Sequence, residues 1–176
     1  AMTATAARGA TNARGRYPAR ALHVVDIENL AGTALPDTAT VAALRALYGT
    51  RVPLGAQDQI VVACNDLALV DVGLGWGCRE AQYRVRSGPD GADLELLDVL
   101  QFERVAERFT QVVIASGDGA FAVAAAALAA RGCHVTVVSR RESLSARLAL
   151  AVNEIRYIDS FEPVSAAALA SELDAA

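Results

Sequence analysis

Three aspartates stand at positions where a fold could bring their carboxyl groups together. Asp26 follows the apolar run HVV, Asp118 follows the run VVIASG, and Asp93 opens a long stretch of helical periodicity. Hard divalent cations such as Mg²⁺ prefer carboxylate oxygens and tolerate retained water ligands. Three such side chains from separate elements would therefore make a metal site.

Each acid also has a purely structural interpretation. Asp118 could cap a helix that begins at the next residue, and Asp93 lies in a first helical turn, where acids are common. Asp98 has the pattern of a solvated helix residue. Asp26 is different, because an acid at the end of so apolar a run emerges next to the core, where an unpaired charge is costly.

Strands are predicted where apolar, β-branched runs occur. These runs are often continuous rather than alternating, which is typical of strands that are buried on both faces. They imply a sheet of about five strands, with residues 82–86 at an edge. The runs are ALHVVDI, QIVVACN, QYRVR, QVVIAS, HVTVVS and EIRYI.

Helical periodicity fills the intervals between these runs, over residues 38–47, 92–108, 119–131 and 144–152, with a short helix from Asp66. Alternating strands and helices predict an α/β fold, a three-layer doubly wound domain with a mainly parallel sheet. Ligands bind such sheets outside the carboxyl ends of the strands. The run GLGWG is not a dinucleotide motif and is interpreted as a loop.

Composition narrows the class of protein. The chain has 176 residues, 53% of them hydrophobic, which suits one core. A net charge of −4 argues against bulk electrostatic binding of nucleic acid. All 16 basic residues are arginine, so a P-loop and lysine-assisted phosphatase chemistry are excluded. Three cysteines without CxxC spacing, and no long apolar stretch or signal core, predict a cytoplasmic protein without a membrane partner.

The two ends of the chain differ from its centre. Residues 1–20 contain four arginines and few large apolar side chains, so they are predicted to be a flexible arm. The predicted domain spans residues 21–162. Residues 163–176 are predicted to be a tail or a short helix.

Three motifs in order, HVVDIENL, GADLELLD and VVIASGDGAF, resemble the acidic motifs of NYN domains, which belong to the PIN-like nucleases. The resemblance extends over residues 21–158 and implies a PIN-like, Rossmannoid fold. It matches Asp26 and Asn29 in the first motif, Asp93 in the second, and Ser116 to Asp118 with Phe121 in the third.

The sequence departs from the family pattern at two positions. Ala120 stands where the third motif, SGDxDF, usually has its second aspartate. Asp98 follows Asp93 by five residues, which is about 140° around a helix. These departures leave the number of bound ions open.

The resemblance implies a metal-dependent endoribonuclease that uses Mg²⁺ or Mn²⁺. In this hypothesis Asp26, Asp93 and Asp118 are the metal ligands. Asn29 and Ser116 hold a carboxylate or a water molecule in place, and Asp98 contacts a second ion or a water molecule.

RNA is the expected partner, and arginine is the residue type that grips phosphate through a planar fork. Arg20 in the arm and the pair Arg84 and Arg86 are the predicted substrate contacts. The backbone N–H groups of Gly117 and Gly119, at a helix start, could face a phosphate oxygen, although a simple tight turn explains these glycines equally well.

The main alternative is a PIN-like scaffold whose metal site is weakened, with Ala120 as the sign of that change. Such a protein would bind RNA or another protein without cutting. Homodimer formation stays open in both cases.

Overall fold

A computed structural model describes residues 20–77, 79 and 81–158 of the chain. The predicted arm, apart from Arg20, and the predicted C-terminal tail lie outside the described residues. Within the described part, the α/β class is confirmed, with helices on both faces of an all-parallel sheet.

The sheet has six parallel strands in the order β3-β2-β1-β4-β5-β6, one strand more than the predicted number. The predicted edge position of the 82–86 run is confirmed, since β3 is an outer strand. The strands are β1 (Ala21–Asp26), β2 (Gln59–Cys64), β3 (Gln82–Val85), β4 (Gln111–Ala115), β5 (His134–Ser139) and β6 (Glu154–Tyr157).

The strand order reverses direction at β1, which pairs with β2 on one side and β4 on the other. The crossovers that leave β1 and β4 therefore diverge, and a crevice opens between them at the carboxyl edge of the sheet. Asp26 is the last residue of β1, and Asp118 lies three residues after the end of β4. The topology thus places both acids at the crevice.

The first helical layer packs on the sheet through a core around Val25, Tyr48 and Trp76. It contains α1 (Ile27–Ala31), α2 (Thr38–Arg51) and α3 (Leu69–Trp76). The loop interpretation of GLGWG was wrong, because Gly73 and Gly75 lie inside α3. A Cβ at Gly75 would lie 2.6 Å from the carbonyl oxygen of Thr38, so glycine is required for this close approach of α3 to α2.

The second layer packs on the other face through a core around Leu22, Leu96 and Phe121. It contains α4 (Gly91–Phe102), α5 (Val105–Arg108), α6 (Ala122–Ala130) and α7 (Ala146–Ala149). The single helix predicted over residues 92–108 is interrupted, because Arg104 adopts φ 54° and ends the regular hydrogen-bond pattern. A 3₁₀ turn, Gly119–Phe121, precedes α6. No helix in the described ranges is long and apolar enough to cross a membrane.

Candidate active site

An acidic cleft of about 150 Å³ opens at the carboxyl edge of the sheet, beside the end of β1. Four of its six lining residues carry carboxyl groups, and they come from the β1–α1 junction and from the start of α4. The lining residues are Asp26, Glu28, Asn29, Asp90, Ala92 and Asp93.

Asp26 is the most buried acid of the cleft, with 4% of its surface exposed. Its Oδ1 accepts the backbone N–H of Asn29 at 3.2 Å, so it caps α1, and its Oδ2 accepts the hydroxyl of Ser116 at 2.9 Å. Burial raises the pKa of Asp26, and the hydrogen bonds oppose that rise. The surrounding groups therefore fix the direction of this carboxyl group.

Asp93, in the first turn of α4, lines the cleft together with Asp26, and the two side chains lie close enough for each to shift the pKa of the other. Burial, followed by the charge of Asp26, raises the pKa of Asp93 to about 8. Its Oδ1 is buried and has no hydrogen-bond partner. Two carboxyl groups in one site disfavour the doubly ionised state, so the raised pKa favours a protonated Asp93 in the metal-free protein at neutral pH.

Asp118 lies close enough for its charge to raise the pKa of both Asp26 and Asp93. Its Oδ1 accepts the N–H of Ala120 at 2.7 Å, so the capping role considered for this residue is present. Its backbone N–H donates to Ser116 Oγ at 3.2 Å. Ser116 therefore links Asp26 to Asp118, and the structure brings all three predicted aspartates to one place.

Asn29 stands beside Asp26 as predicted, but its amide side chain has another partner. The Oδ1 of Asn29 accepts the backbone N–H of Gly117 at 2.9 Å. This N–H is therefore engaged, and the prediction that it faces a phosphate oxygen was wrong. At Gly119, a Cβ would lie 2.8 Å from Ser145 Oγ, so close packing accounts for that glycine.

Two acids of the cleft were not among the predicted site residues. Glu28 Oε1 accepts the N–H of Asn65 at 2.5 Å, and burial together with the charge of Asp26 raises the pKa of Glu28. Asp90 is exposed and precedes α4 with φ 56°. The spacing of Glu28, two residues after Asp26, is the only signal in the sequence that could have indicated the first of them.

Asp98 does not belong to the cleft. It is exposed on α4, on a side of the helix about 140° away from Asp93. No hydrogen bond or ion pair within the described ranges joins Asp98 to the three aspartates. The assignment of Asp98 to a second ion is therefore not supported by its position.

The three predicted substrate arginines are placed away from the cleft or are paired. Arg84 Nη2 lies 2.7 Å from Glu103 Oε1, and Arg86 Nη1 lies 3.7 Å from Glu95 Oε1. Arg20 precedes β1 and donates to the carbonyl oxygen of Arg108, so it lies at the amino edge of the sheet. The strand of six residues separates it from Asp26 by roughly 20 Å.

The donor set of the cleft fits a hard divalent ion. Asp26 and Asp93 present carboxylate oxygens from two elements, and the buried Oδ1 of Asp93 lacks a partner. Mg²⁺ commonly binds one or two carboxylates and completes its shell with water and substrate oxygens. In residues 20–158, with positions 78 and 80 set aside, no group of three or more His, Cys, Asp or Glu side chains is arranged to hold one metal ion by itself.

The Asp93→Asn variant is expected to stabilise the metal-free protein at high pH. An unfolded chain ionises this carboxyl near its ordinary pKa, whereas the folded protein keeps the proton until about pH 8. The free energy of unfolding of the wild-type protein therefore decreases as pH rises from about 4 to about 8. We expect the variant to avoid this loss and to exceed the wild type by about 1–3 kcal/mol near pH 8.5.

Urea unfolding in chelator at about pH 5 and about pH 8.5 measures this difference. Asp98→Asn makes the same chemical change at an exposed position of α4 and should leave the pH dependence unchanged. A wild-type-like pH dependence in Asp93→Asn would show that folding does not raise the pKa of Asp93.

Comparisons with known proteins support the fold alone. No family model matches the chain, and no curated protein matches it. A solved structure of a protein of unknown function from Vibrio parahaemolyticus matches with a TM-score of 0.51 and 16% sequence identity. The match covers 81% of this chain and 94% of that chain. At this identity the likeness extends to the backbone architecture and not to the chemistry of the cleft.

Proposed function

We propose that this protein is a metal-dependent ribonuclease that hydrolyses RNA phosphodiester bonds at the acidic cleft. The observation that supports the proposal best is the pairing of Asp26 with Asp93 in one acidic cleft, where Asp26 is buried, Asp93 is half-buried and Asp93 Oδ1 has no hydrogen-bond partner. Carboxyl groups held this close repel each other when ionised, and a divalent cation relieves that repulsion.

Asp26 and Asp93 would hold the ion directly, with Mg²⁺ or Mn²⁺ as the expected species. Asp118 would contact the ion through its carboxylate or through a water molecule, since it lies close enough for its charge to raise the pKa of both other acids. The bound ion would supply a water nucleophile near neutral pH and stabilise negative charge in the transition state.

The remaining residues orient these ligands. Ser116 donates to Asp26 Oδ2 and accepts from the backbone of Asp118, so one hydroxyl fixes two of the three acids. Asn29 fixes the turn after β4 by accepting from Gly117. Hydrogen bonds of this kind commonly change metal affinity or activity by about 10- to 100-fold when they are removed.

A metal-free binding module remains the second candidate. Ala120 replaces an acid of the family motif, and a metal site is not complete in the described protein side chains alone. Such a module would bind RNA or a protein without metal-dependent cleavage. Cytoplasmic localisation belongs to either proposal, and the free buried thiols of Cys64 and Cys133 agree with a reducing compartment.

Asp118→Asn should lower RNA cleavage by about tenfold or more while the fold is retained. Asparagine caps a helix as well as aspartate does, so the bond to the Ala120 N–H survives while the negative charge is removed. Cleavage of a labelled single-stranded RNA is measured with Mn²⁺ and with excess chelator.

Asp98→Asn is the matched control, because it removes a charge from an exposed site outside the cleft. We expect chelator to stop cleavage and the Asp98→Asn variant to cleave RNA as the wild type does. Cleavage that persists in chelator, or that is equal in the two variants, would contradict the proposal.

A further inference from the structure

A basic segment borders the acidic cleft on the β5 side. This segment, residues 140–150, follows β5 and leads to β6. It contains Arg140, Arg141 and Arg147 against a single acid, Glu142, which gives a net charge of three minus one, or +2. The cleft itself repels phosphates, because its lining side chains include four acids. An RNA substrate therefore needs fixed positive charge close by.

The segment packs directly against the turn that carries Asp118. The backbone N–H of Ser145 donates to the carbonyl oxygen of Gly117 at 2.8 Å. A Cβ at Gly117 would lie only 2.2 Å from the carbonyl oxygen of Ser143. Further along, α7 contacts the 3₁₀ turn Gly119–Phe121. The backbone of the segment is thus held against the turn that carries Asp118.

Arg140 is anchored to the residues of the site itself. Its Nη2 donates to the carbonyl oxygen of Asn29 at 3.2 Å, and its Nη1 donates to Glu142 Oε1 at 2.8 Å. The missing side chain of Gly32 leaves room for the guanidinium group, since a Cβ there would lie 3.0 Å from Nη1. The Nε atom is buried without a partner.

Arg141 and Arg147 are both exposed. The guanidinium carbon of Arg141 lies 4.1 Å from the centre of the Tyr157 ring, at the end of β6. Arg147 lies on α7, the helix that contacts the Asp118 turn.

We propose that residues 140–150 form the phosphate-binding wall of the site and bind the backbone of an RNA strand through Arg140, Arg141 and Arg147. This inference rests on the proposed function, since it assigns the RNA strand to the side of the cleft next to β5. It replaces Arg20, Arg84 and Arg86 as the substrate contacts. Arg140 acts in part as a positioning residue, because it also holds the turn at Asn29.

The test is the salt dependence of RNA binding by the full-length protein. The probe is a fluorescein-labelled single-stranded oligouridylate, and its anisotropy is followed from low to moderate salt in chelator and again with Mn²⁺. For single strands, each phosphate contact contributes about 0.7 to the slope of log affinity against log salt. We expect the double variant Arg141→Gln/Arg147→Gln to lower that slope by about 1.4 and to weaken binding about tenfold.

Arg131→Gln is the matched control, because Arg131 is an exposed arginine just after α6, at the amino edge of the sheet. Arg140 is tested by Arg140→Lys and Arg140→Gln together with melting temperatures. A phosphate contact predicts that lysine restores much of the salt slope, whereas a purely structural role predicts equal slopes at equal melting temperatures.

Three results would contradict the phosphate-binding wall. They are an unchanged salt slope in the double variant, a slope that Arg131→Gln lowers equally, and no RNA binding by the wild type. Failure of the nuclease proposal looks different. If the salt slope depends on these arginines but no cleavage is found, the nuclease proposal fails and the phosphate-binding wall stands. If RNA is cleaved independently of these arginines, the wall fails and the nuclease proposal stands.

Discussion

Asp26→Asn is expected to lower metal-dependent RNA cleavage by about 1000-fold, because the variant loses the central ligand charge of the cleft. A metal ion stabilises a hydrolytic transition state by several kcal/mol, and about 4 kcal/mol corresponds to this factor. Asp26 is the most buried acid of the cleft, and hydrogen bonds fix the direction of both of its oxygens. The measurement is single-turnover cleavage of a labelled RNA with saturating Mn²⁺.

The fold should survive this change. Asparagine can keep an oxygen towards the Asn29 N–H and can donate its NH₂ to the Ser116 hydroxyl, and it removes a buried charge. The melting temperature without metal is therefore expected to stay at or above the wild-type value. Ser116→Ala is a graded control, with an expected loss of about 10- to 100-fold, because it removes only the hydroxyl that orients Asp26. Full activity in Asp26→Asn would contradict the assigned role.

Gly117→Ala is expected to destabilise the protein by about 3 kcal/mol, since the added methyl group has no space. A Cβ at this position would lie 2.2 Å from the carbonyl oxygen of Ser143 and 2.5 Å from Ser139 Oγ. Relief of the clash requires the segment after β5 to move away, which would break the bond between the carbonyl oxygen of Gly117 and the N–H of Ser145. Urea unfolding measures the stability, and the cleavage assay should show a parallel loss.

Gly49→Ala is the matched control for this prediction. Gly49 lies inside α2, and its added Cβ would meet only Arg45 Nη1 at an ordinary 3.8 Å. Because alanine is a better helix former, this variant should gain about 0.5–1 kcal/mol. Equal stability of the two variants would show that the close approach at Gly117 is not required.

The sheet could be predicted well because its strands are encoded locally. Continuous β-branched runs such as that of β4 have few other ways to bury both faces, and their alternation with helices implies parallel pairing. The positions of Asp26 and Asp118 followed from the same argument. Helix ends were harder to predict, since the positive φ of Arg104 and the packing of Gly75 depend on tertiary contacts rather than on local pattern.

The side-chain partners within the site could not be predicted from spacing. Asn29 was expected to orient Asp26, but its amide fixes Gly117, which is far away in sequence. Arg84 on β3 and Arg86 just after it looked available, but both are paired with glutamates of the following helical region. Arg140 and Glu28 were missed because only the folded chain brings Arg140 to the carbonyl oxygen of Asn29 and Glu28 to the N–H of Asn65.

Manganese binding tests the central claim most directly, and anomalous diffraction from crystals soaked in Mn²⁺ is the measurement. We predict a single strong anomalous peak in contact with carboxylate oxygens of Asp26 and Asp93, and its loss in crystals of Asp26→Asn. A fully soaked crystal without an anomalous peak at this cleft would contradict the account. A peak that persists unchanged in Asp26→Asn would contradict it too.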